Sequence, residues 1–296
     1  MQPLKILVVG GGGFLGNQII KALRVGRREV ISAGRSNRDY TPGLSVTLDI
    51  AIPGTYLGVL NEWKPDVVIQ CAWPTEQSSY RETNDNIRYL NYTTTFADAC
   101  FSFGVKKFIG LGSCAEYGNV SNACDADSTP AEPIDLYGKS KLETLQRLQE
   151  IAIKKERSLT WARIFQPYGL GQDDSRLIPG SVRKLLLGSP ITLQNPDLKL
   201  DWISSRDVGD AINFILTNHI SGVVDVGTGI GTSVEELLLN VTEILGQGKD
   251  LILRAHESDI LRTPNHLIVS KNTKLFSEGW IPKDSLQNGL RWAINL

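Results

Sequence analysis

Short apolar, β-branched runs recur through the first half of the chain, at Ile6–Val9, Val30–Ala33, Val67–Cys71, Phe108–Leu111 and Leu159–Ile164. Each predicts a strand that is apolar on both faces. Between most of them the apolar positions take up helical spacing, at Phe14–Val25, Ile87–Phe103 and Tyr137–Lys155. Doubly buried strands separated by helices predict βαβ units around a parallel sheet. Right-handed crossovers then give a doubly wound, three-layer α/β fold.

After about residue 165 this rhythm breaks. Pro167, Gly169, Gly171, Pro179, Pro190 and Pro196 punctuate the chain. Short helices are predicted at Gly180–Leu187, Arg206–Asn218 and Val234–Leu245, and a terminal one at Leu286–Ile294, after the turn Gly279-Trp280-Ile281-Pro282. This pattern predicts a smaller C-terminal cap on the carboxyl edge of the sheet, where open α/β folds bind ligands. There is no internal repeat and no low-complexity tract.

Composition narrows the function classes. The 296 residues are enough for one large or two ordinary domains, and 41% hydrophobic with 21% charged residues is a globular balance. Lys and Arg number 31 against 32 Asp and Glu, a net charge of −1, which argues against a nucleic-acid binder. No run of eighteen apolar residues predicts a membrane span, and no signal peptide can be laid out at the N-terminus, so a cytoplasmic protein is expected. Four cysteines (Cys71, Cys100, Cys114, Cys124) form no C-x-x-C pair, and the histidines His219, His256 and His266 lie far from them in the chain. No metal site is expected, and free thiols in a reducing compartment are the simpler reading.

Gly10-Gly11-Gly12-Gly13-Phe14-Leu15-Gly16 follows the first strand directly. Gly10, Gly13 and Gly16 permit a tight turn, close approach of a pyrophosphate and close packing of helix on strand. Phe14 and Leu15 open the helix whose free N–H groups would face the phosphates. The second strand ends at Ala33-Gly34-Arg35-Ser36, with Arg38 close by and no carboxylate before Asp39. An acidic residue there would suit the free ribose hydroxyl of NAD, whereas Arg35 and Arg38 suit a 2′-phosphate, so NADP is expected, with NADPH preferred and NAD possible. The alternative for Arg35 is a solvated surface position. Asp49 and Ile50, after the third strand, could meet the adenine edge, or Asp49 could cap a helix starting near Pro53.

Tyr137 and Lys141 are four residues apart at the start of a predicted helix and so share one face. A phenol titrates near 10, and lowering that by ~3 units needs roughly 4 kcal/mol, which a close lysine and a nicotinamide cation could supply together. Upstream, the fifth strand ends in Leu111-Gly112-Ser113-Cys114-Ala115-Glu116-Tyr117-Gly118, where the Ser113 hydroxyl could hold a substrate carbonyl.

With these motifs in this order, the chain resembles an extended short-chain dehydrogenase/reductase of the NAD(P)-dependent nucleotide-sugar epimerase/dehydratase/reductase family, nearly end to end. The resemblance is carried by Gly10/Gly13/Gly16, Cys71-Ala72 at the end of strand four, Asn91 on the next helix, Ser113 with Tyr117-Gly118, and Tyr137/Lys141. It continues through Arg163-Ile164-Phe165-Gln166-Pro167-Tyr168-Gly169, Asp201-Trp202-Ile203, Asp225-Val226-Gly227-Thr228-Gly229 and Gly279-Trp280-Ile281-Pro282-Lys283. It implies a Rossmann-type dinucleotide-binding domain over 1–165, with return segments later in the chain, and a mainly substrate-binding domain over 166–296. It also implies that Tyr137 is the acid/base, that Lys141 tunes it and binds the nicotinamide ribose, that Ser113 polarises the sugar, that Asn91 supports a proton relay, and that Cys71 and Ala72 border the cofactor. Family members often dimerise through helices corresponding to Ile87–Phe103 and Tyr137–Lys155, so a homodimer is implied.

The chain departs from the family pattern at several places. Family 4,6-dehydratases carry an Asp-Glu pair where this chain has Cys114-Ala115, so the groups that eliminate water are missing. Gln166 stands for the usual Asn, Leu200 for an Arg, and Gln70 for a His. The expected reaction is NADPH-dependent reduction of a 4-keto-6-deoxy nucleotide-diphosphate sugar, a step of deoxysugar biosynthesis, with Tyr137 as proton donor. The alternatives are an NAD-retaining 4-epimerase and a non-catalytic member that keeps the fold. Thr75 and Glu76 would lie near the sugar. Gln166, Arg176 and Arg262 are candidates for the diphosphate, with surface solvation the alternative for both arginines.

Overall fold

The computed structural model describes residues 3–35, 44–75, 79–256 and 267–295. The first half runs β1 (Leu4–Val9), α1 (Phe14–Leu23), β2 (Arg28–Gly34), β3 (Ser45–Thr47), α2 (Pro53–Trp63), β4 (Val67–Gln70), α3 (Asp85–Ser102), β5 (Lys107–Ser113), a 3₁₀ turn (Cys114–Tyr117), α4 (Leu136–Lys154) and β6 (Ser158–Ile164). The second half runs β7 (Gln166–Tyr168), α5 (Leu177–Leu186), β8 (Ile191–Leu193), β9 (Lys199–Ser204), α6 (Ser205–Thr217), β10 (Gly222–Val226), β11 (Gly231–Ser233), α7 (Val234–Ile244), β12 (Ile252–Arg254), β13 (Leu267–Ile268), α8 (Thr273–Ser277) and α9 (Leu286–Ile294).

The main sheet has seven parallel strands in the order β10-β6-β5-β4-β1-β2-β3. Strand order reverses at β1, so the crevice over the carboxyl ends of β1 and β4 is the switch point of a doubly wound sheet. Side-chain alternation explains why the strands read as continuously apolar. Ile6, Val8, Ile69, Ile109 and Ile164 face one layer with Ile19, Ile20 and Leu23 of α1 and Val208, Ile212 and Ile215 of α6. Leu7, Val9, Val68, Phe108 and Trp161 face the other, with Tyr56 and Leu60 of α2, Phe96 and Ala97 of α3 and Leu145 and Leu148 of α4.

The chain after residue 165 divides between two places. α6 packs on α1, and β10 extends the main sheet beside β6, from Gly222 opposite Thr160 to Val226 opposite Ile164. α8 packs against β10, and the remainder forms the small sheet β11-β9-β13 with β7 on β9, the pair β8–β12, and an apolar cluster of α5, α7 and α9. These strands of two to six residues carry no readable period in the sequence. α5 begins at Leu177, earlier than expected, because Pro179 falls in its first turn, where an N–H is not needed. Buried Asp201 on β9 fastens the pieces. It accepts hydrogen bonds from Thr228 N (2.7 Å), Gly229 N (3.0 Å) and Ser270 N (3.1 Å). Among the described residues no helix is long and apolar enough to cross a membrane.

Candidate active site

The glycine loop is shaped by contacts that exclude side chains. Gly10 has φ +77°, and a Cβ there would lie 2.8 Å from the Ala72 backbone nitrogen. A Cβ on Gly16 would overlap the Gly10 carbonyl and sit 2.8 Å from Gly11 Cα. At Gly13 the space is open save for Gly10 O at 3.2 Å. Gly13 is the N-cap of α1 and offers no side-chain acceptor, so the first N–H groups of the helix, from Phe14 and Leu15, have no capping partner. A bare helix N-terminus beside an open glycine surface fits a pyrophosphate. Gly10 N and Gly11 N donate to Ala33 O at 2.7 and 3.2 Å, which brings the end of β2, and exposed Arg35 after it, next to this loop. Asp49 and Ile50 follow β3. Asp49 Oδ1 accepts Ala51 N at 2.9 Å, and α2 is instead capped by Ile52, so the carboxylate stabilises the turn ahead of the helix.

The same sheet edge carries the hydroxyl groups. Ser113 is the last residue of β5, and Tyr137 and Lys141 lie in the first turns of α4. α4 starts there because Asp135 caps it, accepting Gly138 N at 2.7 Å, and Tyr137 N donates to Arg81 O at 2.9 Å. The Tyr137 phenol lies beside the Ser113 side chain. Burial raises the Tyr137 pKa above that of an ordinary phenol, and Tyr80 adds to this, while the Ser113 hydroxyl and the Arg81 guanidinium pull the other way. This differs from the expectation that a neighbouring ammonium would leave the phenol acidic. Lys141 Nζ donates to Leu111 O at 2.7 Å and lies 3.8 Å from the Trp73 ring centre, against 5.8 Å for the Tyr137 ring. Desolvation pulls the Lys141 pKa down to about 7, opposed by Glu116 and Cys71.

The structure brings most of the expected residues together. Ala72 packs on Gly10, Cys71 faces Lys141, and Ser113, Tyr137 and Lys141 cluster beside them. The Thr75 carbonyl accepts Arg176, whose guanidinium lies 4.5 Å from the Tyr80 ring centre; Tyr80 in turn meets Tyr137 edge-on at 5.1 Å. Gln166 Nε2 approaches Cys114 Sγ at 3.8 Å. Arg38, Glu76 and Arg262 lie outside the described residues. Asn91 is not part of the cluster. It is exposed on α3 and accepts Arg147 Nη1 at 3.1 Å, because the inward stripe of that helix runs through Asn86, Leu90, Thr93, Ala97 and Cys100.

Several groups at the site were not anticipated. Fully buried Asn86 accepts Trp73 Nε1 at 2.8 Å and donates to Tyr80 O (2.6 Å) and Thr83 O (3.0 Å), which fixes the indole against Lys141. Its place on the α3 stripe was the readable signal. Arg81 lies 6.0 Å from the Tyr137 ring centre and is ion-paired with Asp135. Cys114 is buried, which pushes its thiol up to about 12, so it is no acid or base at neutral pH. All four cysteines are free thiols, and among the described residues no group of His, Cys, Asp and Glu could hold a metal.

The sequence matches the NAD dependent epimerase/dehydratase family over residues 6–227. The chain belongs to that family. This epimerase/dehydratase-family enzyme is 28% identical to a GDP-6-deoxy-D-talose 4-dehydrogenase from Aggregatibacter actinomycetemcomitans over 252 residues, 81% of this chain and 80% of the relative. It is 25% identical to a UDP-glucose 4-epimerase from Rhizobium leguminosarum bv. trifolii over 320 residues, covering 97% and 95% of the two chains. The crystal structure of Thermus thermophilus UDP-glucose 4-epimerase in complex with NAD superposes with a TM-score of 0.87 at 23% identity, over 99% of this chain and 98% of that one, a likeness of fold.

Proposed function

We propose that this family member is an NADPH-dependent reductase that converts a 4-keto-6-deoxy nucleotide sugar to the deoxyhexose nucleotide. The observation that carries this is the buried, neutral Tyr137 phenol in the first turn of α4, beside Ser113 at the end of β5 and Lys141 on the same helix face. A neutral phenol is the form that donates a proton to a ketone. The bound nicotinamide supplies the hydride. Tyr137 gives its proton to the growing alkoxide, and the Ser113 hydroxyl hydrogen-bonds the same oxygen. Ketone, hydride and proton balance to a secondary alcohol. Lys141 would hold the nicotinamide ribose of the bound cofactor.

Arg35, beside the glycine loop with no carboxylate on β2 near it, supports the 2′-phosphate of NADPH. Cys114 and Ala115 leave the position of the dehydratase acid and base without a titrating group, which speaks against elimination. Arg176 makes no ion pair among the described residues and lies half-buried over the Tyr80 ring, suited to the substrate diphosphate together with Gln166. Similarity to the talose 4-dehydrogenase supports redox chemistry at the sugar C4.

Similarity to UDP-glucose 4-epimerases favours a second reading, an NAD-retaining 4-epimerase. A panel of 4-keto nucleotide sugars with NADPH absorbance as readout separates the two. The reductase consumes NADPH with at least one 4-keto substrate. Interconversion of 4-epimers by protein that copurifies with NAD and consumes no NADPH would replace it.

A further inference from the structure

Beneath the Ser113–Tyr137 pair lies a buried carboxylate. Glu116, in the 3₁₀ turn that follows β5, is 0% exposed. It accepts Ser113 N at 2.8 Å, Trp161 Nε1 at 2.9 and 3.1 Å, and Arg163 Nε at 2.8 Å. The backbone is shaped to admit it, since a Cβ on Gly112 would lie 2.5 Å from Glu116 Oε1. Stability alone is a weak reason for such a pair, because a buried ion pair is often no better than a well-packed apolar one.

We propose that Glu116 is a positioning residue for the reaction: it ties down the backbone of Ser113, and through Trp161, which it holds and which borders Lys141 at 5.8 Å, it stands as the counter-charge of that buried lysine. This rests on the roles given above to Ser113, Tyr137 and Lys141. Ser113 N donates to Glu116 while the Ser113 hydroxyl accepts Ala115 N at 3.2 Å, so both the backbone and the side chain of Ser113 are held. Among the described residues, the groups around Lys141 are the Leu111 carbonyl, Tyr137 from its own helix, Cys71 after β4, the Trp73 and Trp161 rings, and Glu116, which is itself paired with Arg163 on β6. Burial pushes the Cys71 thiol up to about 12 and Tyr137 is a neutral phenol, so Glu116 is the negative charge among the described groups that face Lys141. It opposes the desolvation that drives the lysine toward the neutral amine.

Glu116→Gln tests this, because it keeps an oxygen for Ser113 N but removes the charge. The readout is an NMR titration of 13C-lysine-labelled full-length protein, with Lys141 assigned by its loss in Lys141→Arg, beside the pH profile of kcat/KM. Lys141 of Glu116→Gln is expected to lose its proton about one pH unit lower than in the wild type. The basic limb of kcat/KM moves the same way, and kcat falls about tenfold with KM changed less than about twofold. Ile215→Val, in the core under α6, loses stability without moving the Lys141 titration. Should unpaired Arg163 prevent folding, the Glu116→Gln/Arg163→Met double variant is expected to show a smaller shift in the same direction. A folded variant whose Lys141 titrates as in the wild type overturns the proposal. Because the titration needs no substrate, failure of the wild type to reduce any 4-keto sugar would sink the reductase assignment and leave this result standing on its own.

Discussion

The Lys141 ammonium nitrogen lies 3.8 Å from the centre of the Trp73 ring, closer than to the ring of Tyr137 one turn away on the same helix. The indole is held there by Asn86 from α3, and its ring also meets Tyr137 edge-on at 6.5 Å. A loop, a helix start and a second helix thus converge on one buried cation.

The first prediction concerns that contact. A cation over an indole face contributes about 0.5–2 kcal/mol, so Trp73→Leu is expected to reduce kcat/KM by about 2- to 30-fold and to move its basic limb to lower pH. Trp73→Phe keeps a weaker face and should lose less. Steady-state kinetics across pH checks the order wild type, phenylalanine, leucine.

Tyr137→Phe removes the proton donor and little else, since the ring contacts with Trp73 and Tyr80 remain. Turnover should fall on the order of 100- to 10,000-fold, with cofactor affinity within about twofold of the wild type. Unchanged turnover would remove Tyr137 from its assigned role.

The glycines of the loop should separate by their surroundings. Gly16→Ala drives a Cβ into the Gly10 carbonyl and should cost about 1–3 kcal/mol in thermal unfolding. Gly13→Ala meets only the Gly10 carbonyl oxygen, at 3.2 Å, with an ordinary φ of −81°, so it should cost clearly less stability than Gly16→Ala while cofactor affinity drops. Equal stability losses would contradict an open Gly13 surface.

Arg35→Ala should weaken NADPH by about 10- to 100-fold, the scale of one charge-assisted hydrogen bond, and NADH by less than about twofold. Fluorescence titration with both cofactors decides it. Parallel losses would mean that Arg35 does not contact a 2′-phosphate.

Asp225 supplies a pH test of the interior. Burial raises its carboxyl to about 7, and one oxygen has no partner among the described residues while the other accepts Tyr117 Oη at 2.7 Å. Between about 4 and 7 the folded chain therefore holds a proton that the unfolded chain has released. Through that window this group lowers stability as pH rises, by up to about 1.4 kcal/mol per pH unit. Asp225→Asn keeps the acceptor for Tyr117 and removes the charge. Its melting temperature should exceed the wild type's at pH 8 and approach it at pH 5.

The amino-acid order by itself determined the doubly wound sheet, because strands buried on both faces must be apolar throughout and their helices must show one apolar stripe. It also determined the glycine loop after the first strand and the placing of Tyr137 and Lys141 on one helix face, since each depends on spacing within one turn. The terminal helix was read to its ends, with Ser285 capping Leu286–Ile294.

Tertiary structure decided what lies between elements. That α6 and β10 return to the first half depends on packing against α1 and β6, which no local period encodes. Asn91 and Asn86 are the same residue type on one helix; the phase of α3 against the sheet turned one outward and the other under Trp73. The direction of the Tyr137 pKa was decided likewise. Sequence places an ammonium four residues away, but burial depth and the pull of Trp73 and Leu111 O on that ammonium come from distant parts of the chain, and desolvation outweighs a charge directed elsewhere.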